Sequence, residues 1–293
     1  MICRKQLFVV GFACLALAAS VSQAATTHHR AHTVRVRTDE PDLRSASALV
    51  LDTTHSSVLY SRNADAASPI ASITKLMTVL VVADARLPLD ETLQLTDEDR
   101  IVGKGASSRL TLGSTFTRGD LIHLALMSSE NRAAHALGRN YPGGLPAFVQ
   151  AMNAKARKLG MTSAHFVDPA GLSSDNVASA EDLSKLVMAA SENAVIREYS
   201  TDPGYSVRVG RRTLDFHNTN ALVSNPAWNI IVQKTGYISE AGRCLVMQAV
   251  IQGRTVVIVL LNSVGKNTRV ADAIRVRRWM EAKLATTEHA DKV

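Results

Sequence analysis

Apolar and polar positions divide the chain into a series of elements. Two short apolar runs, Ala48-Leu49-Val50-Leu51 and Val58-Leu59-Tyr60, flank the polar turn Thr53–Ser57 and predict a β-hairpin over residues 46–60. Pro69 precedes an apolar stretch from Ser72 to Ala85 that reads as a helix closed by Pro88. Helices are predicted over 118–127 and 131–140, on either side of the polar break Ser128-Ser129-Glu130. Ala147–Leu159 and Ala180–Ser191 carry amphipathic spacing, the second opening on a Ser179/Glu181/Asp182 cap. After Trp228 come three β-rich runs, Asn229–Lys234, Cys244–Ile251 and Thr255–Leu261, and then a closing helix over Arg269–Leu284. Gln252-Gly253-Arg254 interrupts the apolar run Leu245–Leu261 and predicts a hairpin rather than a membrane span. Strands at both ends with helices between them predict an α+β arrangement, in which one antiparallel sheet is joined from both termini and covered by helices. There is no internal repeat and no interior low-complexity linker.

The first residues follow a different logic. Arg4 and Lys5 precede an apolar run from Leu7 to Ala19, and small residues follow at Ser20, Ser22, Ala24 and Ala25. That order is the signature of a secretory signal peptide over residues 1–24, with cleavage after Ala24 and a periplasmic destination; the run is too short to cross a bilayer. A buried N-terminal helix and lipid attachment at Cys14 are the alternatives, and Gly11 stands where a lipobox would want Leu. Residues 25–44, with His28, His29 and His32, read as a flexible polar lead-in, residues 45–285 as the folded domain and residues 286–293 as a polar tail. The mature protein is expected to be soluble, with at most peripheral membrane or wall association.

Composition narrows the classes further. With 46 % hydrophobic and 20 % charged residues in 293, disorder, collagen-like repeats and a disulfide-stapled miniature are excluded. Aromatics are only 4 %, so a single-stranded nucleic-acid platform has little to build with, and no nucleic-acid partner is expected. The formal charge is +7. Loss of residues 1–24 removes two basic residues and no acid, which leaves +5. It also removes Cys3 and Cys14, so Cys244 stands alone in an apolar strand and reads as a buried structural thiol.

H-E-x-x-H, C-x-x-C, G-x-x-x-x-G-K-[ST] and G-x-S-x-G are all absent, and no metal is expected. Ser72-Ile73-Thr74-Lys75 opens a predicted helix, and three residues are almost one turn, so the Ser72 hydroxyl and the Lys75 amine share a face. A serine needs a base to become a nucleophile, and a lysine is that base only when burial or a nearby cation lowers its pKa. S-x-x-K recurs at Ser263-Val264-Gly265-Lys266, and S-x-N occurs at Ser129, Ser174 and Ser191, where the last two read as turns or caps. K-T-G occurs once, at Lys234-Thr235-Gly236, closing an apolar strand; Gly236 would let a bound chain approach the strand edge. Lys234 is a candidate for the second cation that lowers the Lys75 pKa.

The order Ser72, Ser129, Lys234, with steps of 57 and 105 residues, resembles the three-motif set of penicillin-binding proteins and serine β-lactamases. Ala71 to Thr78, Ser129 to Ala134, Asp168-Pro169-Ala170-Gly171-Leu172 and Lys234-Thr235-Gly236-Tyr237 look like the low-molecular-mass D-alanyl-D-alanine peptidases. Tyr141-Pro142-Gly143-Gly144, Met152 to Ala156 and Gly242 to Met247 resemble their endopeptidase branch, the penicillin-binding protein 7 type. The resemblance runs from about residue 45 to about 283.

It implies the β-lactamase/DD-peptidase (transpeptidase-like) fold with a helical subdomain, no cofactor, and peptidoglycan stem peptides as substrate. Ser72, Lys75 and Ser129 would be catalytic, and Asn131, Lys234, Thr235, Gly236 and Tyr237 would bind substrate. β-Lactam antibiotics would acylate Ser72. The interval between the second and third motifs has no Glu followed four residues on by Asn, the pair by which class A β-lactamases activate water, so efficient antibiotic hydrolysis is not expected. A D,D-carboxypeptidase built on the same residues is the nearest rival, and a non-catalytic wall-binding module is the rival from another class.

Overall fold

In a computed structural model of the chain, residues 40–100 and 107–290 are described, with side chains through Lys283. The segment read as a signal peptide, His28, His29 and His32, and the last three residues lie outside the described residues. In chain order, β1 (Ser45–Asp52), β2 (Ser57–Arg62) and β3 (Ser68–Pro69) lead through a 3-10 turn, Ala71–Ile73, into α1 (Thr74–Asp84). β4 (Thr92–Gln94), β5 (Thr115–Thr117), α2 (Arg118–Met127), α3 (Asn131–Arg139) and α4 (Gly144–Lys158) follow. Then come β6 (Val177–Ala178), α5 (Ala180–Ser191), α6 (Ala194–Thr201), β7 (Gly204–Val209) and β8 (Arg212–His217). β9 (Asn229–Ile238), β10 (Gly242–Ile251), β11 (Arg254–Ser263) and α7 (Thr268–Ala290) close the chain.

The expected sheet is present: five strands in the order β2-β1-β11-β10-β9, antiparallel throughout, with the N-terminal hairpin paired to the last strand. Gln252 and Gly253, at φ 50° and 75°, make the tight turn of the β10–β11 hairpin. Both faces of the sheet are covered, which is why its strands read as unbroken apolar runs rather than alternations. Along β11, Val256, Ile258 and Leu260 pack under α7, while Val257, Val259 and Leu261 face the helical layer.

α1 is the centre of that helical layer. It is buried from Thr74 to Val82 and therefore apolar nearly all round. Thr117 and Asp120 form a capping box on α2, and Ser179 and Asp182 form the predicted one on α5. The predicted helix from Ser72 starts instead with the 3-10 turn, so Ser72 stands on a tighter backbone than an α-helix supplies. β9 continues through Lys-Thr-Gly to Ile238, because Lys234 and Thr235 are themselves buried. α6 and the β7–β8 hairpin had no sequence prediction. Only Val207 and Phe216 of that hairpin are buried, among polar residues that mask the alternation. No described helix is long and apolar enough to cross a membrane.

Candidate active site

The turn before α1 and strand β9 lie against each other, and glycine makes that possible. A Cβ on Gly236 would stand 2.8 Å from the Ile70 carbonyl oxygen and 3.2 Å from the Ser72 nitrogen. The protein's own nucleophile segment thus makes one close approach at this glycine. On the opposite side Gly171, at φ +74°, would drive a Cβ to 2.0 Å from the Ala71 carbonyl oxygen. Ala71 itself is held at φ 48°, a left-handed conformation that costs a non-glycine residue about 1–2 kcal/mol. Ser72 is therefore fixed between β9 and the loop at residues 168–176.

One carboxylate shapes that loop. Asp168 Oδ1 accepts from the Ala170 and Gly171 N–H groups at 2.7 and 2.6 Å, and Oδ2 accepts from the Ser173 N–H at 3.0 Å and from Asn176 Nδ2 at 2.5 Å. These bonds aim the Ala170 carbonyl inward, where it accepts from Lys75 Nζ at 2.6 Å. The ammonium also donates to Asn131 Oδ1 and to Ser72 Oγ, each at 2.8 Å. Once neutral, the same nitrogen is placed to accept the Ser72 proton.

Ser129 sits between α2 and α3 at φ 62°, another left-handed non-glycine position, and Lys234 Nζ donates to its Oγ at 2.8 Å. Strain of this kind collects at functional sites. Glu130 is buried beside it: Oε1 accepts from Ser108 Oγ and the Arg109 N–H, both at 2.8 Å, while Oε2 accepts from the Arg132 N–H at 3.3 Å. Lys75 and Lys234 are both fully buried. Burial brings the Lys75 amine down to about 7, against the opposing pull of Asp168 and Glu130. Lys234 is lowered as well, first by burial and then by repulsion from Lys75. Burial, more than the second cation, tunes Lys75.

A cavity of about 400 Å³ joins these groups, lined by Ser72, Ser129, Asn131, Thr235, Gly236 and Tyr237 among others. All eight residues singled out from the sequence come together here: six line the cavity, and the buried Lys75 and Lys234 lie behind it, bonded to Ser72, Asn131 and Ser129. The extra copies do not: Ser191 ends α5 and Ser263 ends β11, and neither lines the cavity. Cys244 is buried with its thiol pushed up to about 11 by burial, as a structural cysteine should be. Sequence reasoning missed Thr219, whose hydroxyl lies 2.6 Å from that of Thr235, and Arg269, whose Nη1 donates to the Gly236 carbonyl at 2.8 Å. Each is brought in by a distant segment and belongs to no local pattern. Asp168 stood in a recognised run, but only the folded loop gives it a task.

The fold is that of DD-transpeptidases. A Streptomyces DD-transpeptidase superposes with TM-score 0.77 at 28 % identity, covering 83 % of this chain and 99 % of that one. A penicillin-binding protein of Listeria monocytogenes in its cefotaxime-bound form gives TM-score 0.72 at 29 % identity, over 81 % and 97 % of the two chains. The sequence pattern of the D-alanyl-D-alanine carboxypeptidase family matches residues 34–265, and the chain belongs to that family. Among its relatives, a D-alanyl-D-alanine endopeptidase of Pseudomonas aeruginosa is 49 % identical over 84 % of this chain and 80 % of its own length. One of Escherichia coli is 47 % identical over 83 % and 79 %.

Proposed function

We propose that the chain is a serine D,D-endopeptidase that hydrolyses D-alanyl cross-links between peptidoglycan stem peptides. The observation that carries the reading is the contact between Ser72 Oγ and a lysine that burial brings down to about 7, beside a cavity lined by Ser72 and by a Ser129 that accepts from Lys234. Ser72 attacks the D-alanine carbonyl, and Lys75 takes its proton. The backbone N–H groups of Ser72 and Tyr237 stabilise the oxyanion, where one such donor is worth roughly 3 kcal/mol. Ser129 passes a proton to the leaving amine, and Asn131 orients Lys75 and the substrate amide. Lys234 and Thr235, with Thr219 and Arg269 beside them, hold the carboxylate next to the scissile bond. Water then releases the acyl group from Ser72. No cofactor enters the scheme. β-Lactams acylate the same serine, because their strained amide mimics the peptide bond.

Residues 1–24 fit the scheme as a signal peptide for export to the periplasm, where this substrate lies, and residues 45–285 as the catalytic domain. The two relatives near half identity are named endopeptidases, whereas a Streptomyces relative named D-alanyl-D-alanine carboxypeptidase is 30 % identical, which favours cross-links over terminal D-alanine. Digestion of purified cross-linked muropeptide dimers beside monomeric pentapeptides tests the choice. Monomers from dimers are expected; free D-alanine with dimers untouched would make the enzyme a carboxypeptidase. Labelled penicillin should attach to the wild type and not to Ser72→Ala.

A further inference from the structure

The proposed reaction needs Ser129 to hand a proton to the leaving amine, so the leaving group departs along the wall that carries Ser129. Arg109, Phe216 and His217 line the same cavity as Ser129, and the chemistry uses none of them. Arg109 bridges the segment after Ser129 and strand β8. Its backbone N–H is held by Glu130, the residue after Ser129, at 2.8 Å. Its guanidinium carbon lies 4.4 Å from the centroid of the Phe216 ring, and Nη1 donates to the Asp215 carbonyl at 2.7 Å. Three residues on from Phe216, Thr219 meets Thr235. The arginine is thus fixed in place yet solvent-exposed, and among the described residues it forms no ion pair. The Glu130 carboxylate below it is turned onto its own three donors.

A guanidinium carries five donors in a planar fork suited to carboxylates. Stacking on a ring and anchoring one donor remove the disorder that a free arginine would have to lose on binding. Free D-alanine as a leaving group has one carboxylate, which Lys234, Thr235 and Arg269 already match. A further cation on the same side has no counterpart there. The leaving group of a cross-link is a whole stem peptide, with carboxylates beyond the one next to the scissile bond.

We propose that Arg109, seated on Phe216, forms a subsite for a second carboxylate of the leaving stem peptide and so favours cross-linked substrates over monomeric ones. The subsite rests on the peptidase reading above. The test compares the wild type with Arg109→Gln and Arg109→Lys on four probes: a muropeptide dimer, the same dimer with every leaving-stem carboxylate except the one next to the scissile bond amidated, a monomeric pentapeptide and labelled penicillin. Arg109→Gln should lower kcat/KM on the dimer roughly tenfold to a hundredfold through KM, the scale of one charge-assisted hydrogen-bond pair. Arg109→Lys should recover part of the loss. The amidated dimer should not distinguish the variants, nor should the pentapeptide or penicillin. Equal loss on all four probes would make Arg109 a structural staple, and an undiminished rate on the dimer would remove the subsite; both results leave the peptidase reading standing. A wild type that trims pentapeptides and ignores dimers would remove the endopeptidase reading and the subsite together.

Discussion

Asp272, under one face of the central sheet, and Lys75 and Lys234, on the other, are buried charges treated in opposite ways. Under α7 the packing is apolar, with Val50, Met247, Ile258, Trp279 and Met280 at its heart, and Asp272 is the buried acid at its edge. Every contact of that carboxylate is a donor: the Arg44 and Ser45 N–H groups at 3.0 and 2.7 Å, the Ser45 hydroxyl at 2.6 Å and Arg275 Nη1 at 2.6 Å. On the helical face Lys75 and Lys234 are as deeply buried, but among the described residues neither has a carboxylate at ion-pair distance. Hydroxyls, an amide and carbonyls surround them instead. A buried charge without a counter-charge destabilises the fold and shifts its own pKa. Asp272 is surrounded by donors that stabilise it; the two lysines lack such compensation, and a lysine able to take a proton near neutrality is the result.

Mutation should pull the two faces apart. Lys75→Met removes the base and a poorly compensated charge, so penicillin acylation should fall about a hundredfold to ten-thousandfold while the melting temperature holds or rises. A variant that unfolds instead would show that Lys75 is structural. Asp272→Ala should do the reverse. It leaves several buried donors without an acceptor and should cost about 3–5 kcal/mol in denaturant unfolding. The fraction still folded should acylate normally. A melting temperature unchanged from wild type would mean that the carboxylate contributes little.

The same asymmetry decides what the sequence disclosed. The sheet was legible because burial on both faces writes continuous apolar runs at Cys244–Ile251 and Thr255–Leu261, and α5 was legible because its capping box is local. Ser72 and Lys75 were legible because one helical turn joins them, and Ser129 and Lys234 because their motifs stand in a known order. Thr219, Arg269 and Glu130 were not, since each acts through contacts made across the fold by a residue type that is common anywhere. The β7–β8 hairpin was hidden because its polar positions outnumber its buried ones. Gly236 lines the cavity, as a glycine that admits a bound chain should, but its second close contact, with the Ile70–Ser72 turn, is one that only the fold shows.

Backbone packing gives a finer test of the functional face. Gly171→Ala meets both a left-handed φ and a carbonyl oxygen at 2.0 Å, so either the 168–176 loop or the Ser72 turn must move. Strain of this size costs on the order of 1–3 kcal/mol. Because the Ala170 carbonyl next to it holds Lys75, acylation should fall by more than the loss of stability explains. A glycine in an open turn is the control. A Cβ on Gly210 meets nothing within 4 Å, so only the local φ penalty remains, and Gly210→Ala should leave acylation at the wild-type rate. Equal effects from the two substitutions would refute the idea that the loop positions the base.

The gentlest probe is pH, because it changes no atom but a proton. Lys75 must be neutral to accept the Ser72 proton, and with its amine brought to about 7 the acylation rate should drop about tenfold for each pH unit below that value and level off above it. Stability should move in the same direction. A lysine lowered in the fold holds fewer protons there than in the unfolded chain across the window from about 7 up to the ordinary 10.5. Stability therefore rises with pH through that window, and below it the full cost of burying the ammonium is felt. Lys234, also lowered, adds to the slope with the same sign. Single-turnover acylation and denaturant melts, each run from about pH 5.5 to 9.5, separate the two readouts, since a unit of pKa shift corresponds to about 1.4 kcal/mol. Lys75→Met should flatten the stability profile without abolishing its slope, because Lys234 remains. A wild-type acylation rate that stays level from pH 5.5 to 7 would mean that the amine is already neutral there or that the proton goes elsewhere, and the contrast between the two faces would then lose its chemical purpose.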